Sequence, residues 1–81
     1  MTEDEAAATV REILVAVAPE LDLAELDDRA SLRDDLDLDS MDFLNVIIGL
    51  HERTGVQIPE RDYELVADVA ALVAYMQRAT S

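Results

Sequence analysis

An all-α fold is what this 81-residue sequence predicts: a four-helix bundle with three longer helices, one short third helix, and a long loop between the first two. Three observations carry that expectation. Apolar residues recur at helical spacing in three stretches, each stretch is preceded by a residue suited to capping, and nothing reads as a strand. Gly and Pro number 2 each, so they read as punctuation rather than as background.

The first helix should open at Thr2, where Glu5 three residues later completes a capping-box pattern and the acids of the first turn suit the positive end of the helix dipole. Val10, Ile13, Leu14 and Val17 form its core-facing stripe, and Pro19 marks its approximate end. From Glu20 to Asp39 the period is lost. Leu21, Leu23, Leu26, Leu32, Leu36 and Leu38 are scattered among acidic and polar positions, as in a long loop pinned to the core by leucines, with one helical turn at Leu32–Leu36. A second helix should run from Ser40 to about Thr54, with Asp39 as its N-cap and Gly55 as the terminating residue. Val56 to Pro59 reads as an extended link, followed by a short third helix from Pro59 to about Leu65. Asp68 then caps a final helix whose buried stripe is Val69, Leu72, Val73 and Met76. The length allows one domain, residues 1–81.

Composition excludes several functions. The formal charge is −13, from 19 Asp and Glu against 6 basic residues, all of them Arg. Such a surface repels a phosphate backbone or an anionic membrane, so neither nucleic acid nor membrane insertion is expected and the natural partner is a basic protein surface. Without Cys there is no disulfide and no intrinsic thiol chemistry. The acidic start and the short apolar runs predict a cytoplasmic protein. Asp35 to Asp39 superficially suggests a calcium loop, but Ser40 stands where such a loop needs Gly and Val46 where it needs a bidentate Glu. Nucleophilic catalysis fails as well. His51 is the single histidine, and eleven residues of continuous helix would hold it about 16 Å from Ser40.

The second helix is apolar on two sides. Phe43, Val46, Ile47, Leu50 and Thr54 make one face, a sufficient core stripe. Met41, Leu44 and Ile48 fall on another, alongside Asn45, Gly49 and Glu52. Either the long loop covers that second strip or it is an interaction surface.

Ser40, at the head of this helix, sits where unpaired backbone N–H groups favour a phosphate ester. Position alone says little, because serine is common at helix starts. The surrounding string says more: Asp39-Ser40-Met41 resembles the Asp-Ser-Leu attachment motif of acyl carrier proteins, followed at matching offsets by Asp42, Leu50, Glu52, Ile58-Pro59 and Val69. The likeness runs from about Leu36 to Met76 and more loosely into the first helix. It implies a non-catalytic carrier in fatty acid, lipid or polyketide biosynthesis. A phosphopantetheinyl transferase would attach 4′-phosphopantetheine from coenzyme A to Ser40, between Asp39 and Met41, and the terminal thiol of that arm would hold an acyl group as a thioester. The resemblance also implies partner binding through Asp42, Leu44, Asn45, Ile48 and Glu52, with acyl-transferring or synthase enzymes offering basic patches. It implies an acyl pocket among Phe43, Ile47, Ile58, Tyr63, Val66 and Val69. A monomer suits a protein that must visit several enzymes.

The sequence departs from the family pattern in places. Asp37 stands where Gly is common, Met41 replaces Leu, and Asn45 and His51 occupy positions that are often acidic. These departures suggest a specialised carrier with its own partners. Asp39 and Asp42 pose a further question, since two carboxylates beside a phosphodiester repel it. They can instead steer the visiting enzymes. Two rival readings stay open: a peptidyl or D-alanyl carrier, and an unmodified acidic helical module that binds partners through its apolar strip.

Overall fold

The computed structural model describes residues 1–22 and 27–80. Helix α1 spans Glu3–Val17 and begins as expected: the Glu5 N–H donates to Thr2 Oγ1 at 3.2 Å while the Thr2 N–H donates to Glu5 Oε1 at 3.1 Å. It ends where Ala18 leaves helical geometry ahead of Pro19, which disfavours the α region for the residue before it. Helix α2 spans Ser40–Thr54 and is closed by Gly55, whose φ of 78° costs a residue without Cβ nothing and lets its N–H reach the His51 carbonyl at 2.8 Å. Helix α3 spans Val69–Ala79 and is capped by Asp68, which accepts the Ala71 N–H at 2.7 Å. The short third helix is a 3-10 helix, Glu60–Val66, with Pro59 just ahead of it. Only Val66 within it is buried, so little apolar area was available to favour the wider α geometry over the tighter turn.

Helix α1 packs against both α2 and α3, and the 3-10 helix leans on α3. Their facing stripes form one apolar cluster in which Val10, Leu14, Leu32, Val46, Leu50, Val66, Val69, Leu72 and Met76 are fully enclosed. Burying each such side chain is worth about 1.5–3 kcal/mol. The α1 stripe gains Ala6, while Val17 is only partly covered. Gly49 corrects the sequence reading, which set it on the outward face of α2. It faces α1, and a Cβ placed there would lie 3.0 Å from Ile13 Cγ2.

The long loop is tied down by its leucines and by backbone pairing. Leu32 and Leu38 are buried and Leu21 and Leu36 pack against the cluster, whereas Leu23 and Leu26 lie outside the described residues. A helical turn forms where expected, the Asp35 and Leu36 N–H groups both donating to the Ser31 carbonyl. The loop then runs beside the start of α3. Leu32 N–H meets the Ala67 carbonyl at 2.9 Å, Ala70 N–H meets that of Asp28 at 2.7 Å, and Ser31 pairs with Asp68 in an isolated β-bridge. Among the described residues no helix is long and apolar enough to cross a membrane.

Candidate functional site

Everything that distinguishes this molecule converges on the start of α2. Two residues before Ser40, Leu38 is buried and its N–H donates to the Leu32 carbonyl at 3.0 Å, which anchors the incoming chain. Three residues after it, Phe43 is buried as well. Ser40 lies between these anchors and is itself exposed, as the first residue of a fifteen-residue helix. The turn leading in is tight: Asp37 has a φ of 58°, the left-handed region that favours glycine and that Asp tolerates better than most residues.

The two aspartates have a structural task. Asp39 Oδ1 accepts the Asp42 N–H at 2.8 Å, and Asp42 Oδ2 in turn faces the Asp39 N–H at 3.5 Å, a reciprocal cap on the helix that begins with Ser40. The sequence reading recognised Asp39 as N-cap and missed the return contact of Asp42, because Asp at that position is shorter than the usual Glu or Gln. The cap answers why acids flank a site suited to an anion: their carboxylates engage backbone N–H groups and the positive end of the helix dipole. At the other end, His51 and Arg53 occupy the last turn, where cations are favoured. Because α2 is continuous, His51 stands about 16 Å from Ser40 and cannot serve it as a base.

The outward strip of α2 is bare. Met41 is 69%, Leu44 42% and Ile48 53% exposed, and Asn45 and Glu52 are exposed beside them. Leu65, 59% exposed on the 3-10 helix, adds an apolar residue that the sequence reading did not single out.

The six residues expected to line an acyl pocket divide into two groups. Phe43 and Tyr63 line a surface groove of about 630 Å³ together with Ser31, Leu32, Arg33, Asp34, Glu60, Glu64 and Ala67. Ile47, Ile58, Val66 and Val69 are buried in the core instead and do not line it. The groove's other wall is the loop turn at 31–34, whose position depends on the long-range pairing with Ala67 and Asp68 and so carries no local sequence signal. Phe43 and Tyr63 meet edge to face, with ring centroids 5.1 Å apart and planes at 73°. Among the described residues no three His, Cys, Asp or Glu side chains stand together as a metal site would require.

An exposed hydroxyl at a capped helix start, with a bare apolar strip running away from it, is open to contact by another protein. Comparison with known proteins agrees. The family description of the phosphopantetheine attachment site matches residues 8–76. An acyl carrier protein of Brachyspira hyodysenteriae is 34% identical over 73 residues, covering 86% of this chain and 94% of that one. The meromycolate extension acyl carrier protein of Mycobacterium tuberculosis is 31% identical over 78 residues, covering 96% of this chain and 67% of that one. A solution structure from Anaplasma phagocytophilum, of a protein assigned as an acyl carrier protein, superposes with a TM-score of 0.87 at 27% identity, over 100% of this chain and 94% of that one. The chain belongs to the acyl carrier protein family: it is a carrier in fatty acid or lipid biosynthesis rather than a catalyst, and the group its domain carries is covalently attached 4′-phosphopantetheine.

Proposed function

We propose that the whole of residues 1–81 acts as one carrier domain, and that Ser40 is the residue that takes the phosphopantetheine arm. The observation that carries this reading is the exposure of Ser40 as the first residue of α2, between the buried anchors Leu38 and Phe43. A phosphodiester there meets the N-terminal N–H groups and dipole of a fifteen-residue helix. The transfer breaks the phosphoanhydride bond of coenzyme A and forms an Oγ–P bond. Adenosine 3′,5′-bisphosphate leaves, and the serine proton passes to a base of the transferase, His51 lying about 16 Å away along α2. Once attached, the arm supplies the thiol that a sequence without Cys lacks, and with it the capacity to hold acyl groups as thioesters.

The chain's own residues position and present. Asp39 and Asp42 hold the first turn, and the strip of Met41, Leu44 and Ile48, with Asn45 and Glu52 beside it, is the docking surface for the transferase and the acyl-transferring enzymes. Its acidic surroundings steer basic partner patches, in keeping with a net charge of −13. Exposure of that apolar strip, where Asn45 and His51 replace acids, favours a specialised carrier with its own partner enzymes. Kinetic preference for the general fatty-acid elongation enzymes would refute that part.

Incubation with coenzyme A and a broad-specificity phosphopantetheinyl transferase tests the assignment. The intact mass should rise by one 4′-phosphopantetheine, and S40A should abolish the rise. An unchanged mass would leave an unmodified interaction module, whereas loading of an aminoacyl group by a cognate ligase would place the chain among peptidyl or D-alanyl carriers.

A further inference from the structure

The groove beside α2 is closed on its inner side by a ring pair, and this bears on which acyl groups the carrier accepts. Phe43 lies one turn beyond Ser40 on α2 and Tyr63 lies on the 3-10 helix, so their edge-to-face contact joins the two elements that would have to part to admit a chain. Behind the rings, Ile47, Ile58, Val66 and Val69 pack within the apolar cluster, with Val66 and Val69 wholly enclosed. In front of them the groove is rimmed by the charged residues Arg33, Asp34, Glu60 and Glu64. The two sides of the pair thus differ: behind the rings the surroundings are wholly apolar, whereas before them Leu32, Phe43, Tyr63 and Ala67 form an apolar floor within a charged rim, with room for a short or polar-substituted chain but no dry interior for a long one.

Resting on the assignment of Ser40, we propose that the Phe43–Tyr63 pair is the specificity gate of this carrier, holding cargo in the surface groove and so selecting short or polar-substituted acyl groups over long saturated ones. While the rings are in contact, cargo lies among Leu32, Tyr63, Ala67 and the charged rim. A long alkyl chain reaches the core only by separating α2 from the 3-10 helix and losing the ring contact. An edge-to-face pair of this kind biases the closed arrangement roughly two- to twelvefold beyond the area it buries. The 3-10 helix is the element to yield, since Val66 is its only buried residue.

The test uses the full chain loaded at Ser40 with a non-hydrolysable octanoyl-pantetheine arm, read by methyl NMR against the same protein bearing an unacylated arm. In the wild type the shifts should centre on Leu32 and Ala67. In Tyr63→Ala they should move to Ile47, Ile58, Val66 and Val69, and in Phe43→Leu, which keeps an apolar side chain at a buried position, they should move in the same direction. A wild type whose interior methyls already shift as far as those of the variants overturns the gate while leaving Ser40 as the attachment point. The same holds if both variants keep their shifts in the groove. Failure of the arm to load, seen by mass before any spectrum is recorded, overturns the assignment and the gate together.

Discussion

Replacing Asp39 by Ala removes the acceptor that holds the Asp42 N–H at 2.8 Å and the charge at the head of α2. Loss of an N-cap costs about 1 kcal/mol, and loss of an anion at an exposed helix start adds roughly 0.3–1 kcal/mol. The sum is about 1.5 kcal/mol. A chain of 81 residues has a stability on the order of 4–12 kcal/mol, so the loss is readily measured. In urea, with a slope near ~1 kcal/mol/M for so small a protein, the midpoint should fall by about 1.5 M, and in a thermal scan by roughly 6–12 °C. Asp39→Asn keeps the acceptor oxygen and removes only the charge, so it should recover about 1 kcal/mol of the loss. Asp42→Ala breaks the longer 3.5 Å contact and removes a first-turn charge, and should cost less than Asp39→Ala. Equilibrium unfolding followed by circular dichroism reads all three. The capping account is refuted if Asp39→Asn falls as far as Asp39→Ala, since the charge and not the hydrogen bond would then be responsible, or if Asp39→Ala unfolds with the wild type.

Two further expectations follow from contacts away from the site. Gly49→Ala gains about 1 kcal/mol of helix propensity but sets a Cβ 3.0 Å from Ile13 Cγ2. With overpacking typically costing about 1–3 kcal/mol, it should destabilise by about 1 kcal/mol net. In an Ile13→Ala background the same change should become stabilising, and an equal effect in both backgrounds would show that this contact does not matter. The Tyr75 hydroxyl donates to Asp62 Oδ2 at 2.8 Å, tying the 3-10 helix to α3. That hydrogen bond raises the phenol's pKa above its ordinary 10.0, with burial adding to it. The stabilisation is therefore complete below pH 10 and lost as pH rises through the higher folded-state value. Tyr75→Phe should cost about 1 kcal/mol near neutrality, and its gap from the wild type should begin to narrow above pH 10 and close once pH has passed the raised folded-state value; a gap that does not narrow would argue against the bond.

What was legible in the sequence was local. Thr2 with Glu5, Asp39 before Ser40, Asp68 before Val69 and Gly55 at positive φ announce helix ends through groups that must be satisfied within one turn. The doubled apolar faces of α2 followed from a 100° rotation per residue, and exposure of Met41, Leu44 and Ile48 settled which face is bare. What was hidden depends on distant partners. Gly49 looked like an outward position because only the approach of Ile13, on another helix, turns it into a contact. The pairing of residues 28–32 with 67–70 is made by backbone groups that every residue possesses, so no side chain advertises it. The groove inherits that blindness, since its loop wall is placed by the same pairing. A seven-residue helix likewise has too few periods to separate 3-10 from α geometry by pattern alone.

The carrier's chemistry would begin at one oxygen, Ser40 Oγ. Intact-mass analysis of the wild type and S40A after treatment with coenzyme A and a phosphopantetheinyl transferase addresses it directly, with fragmentation to locate the added group. A single added arm is expected on Ser40 in the wild type and none in the variant; an arm on another residue, or none in the wild type, would rule Ser40 out as the attachment point.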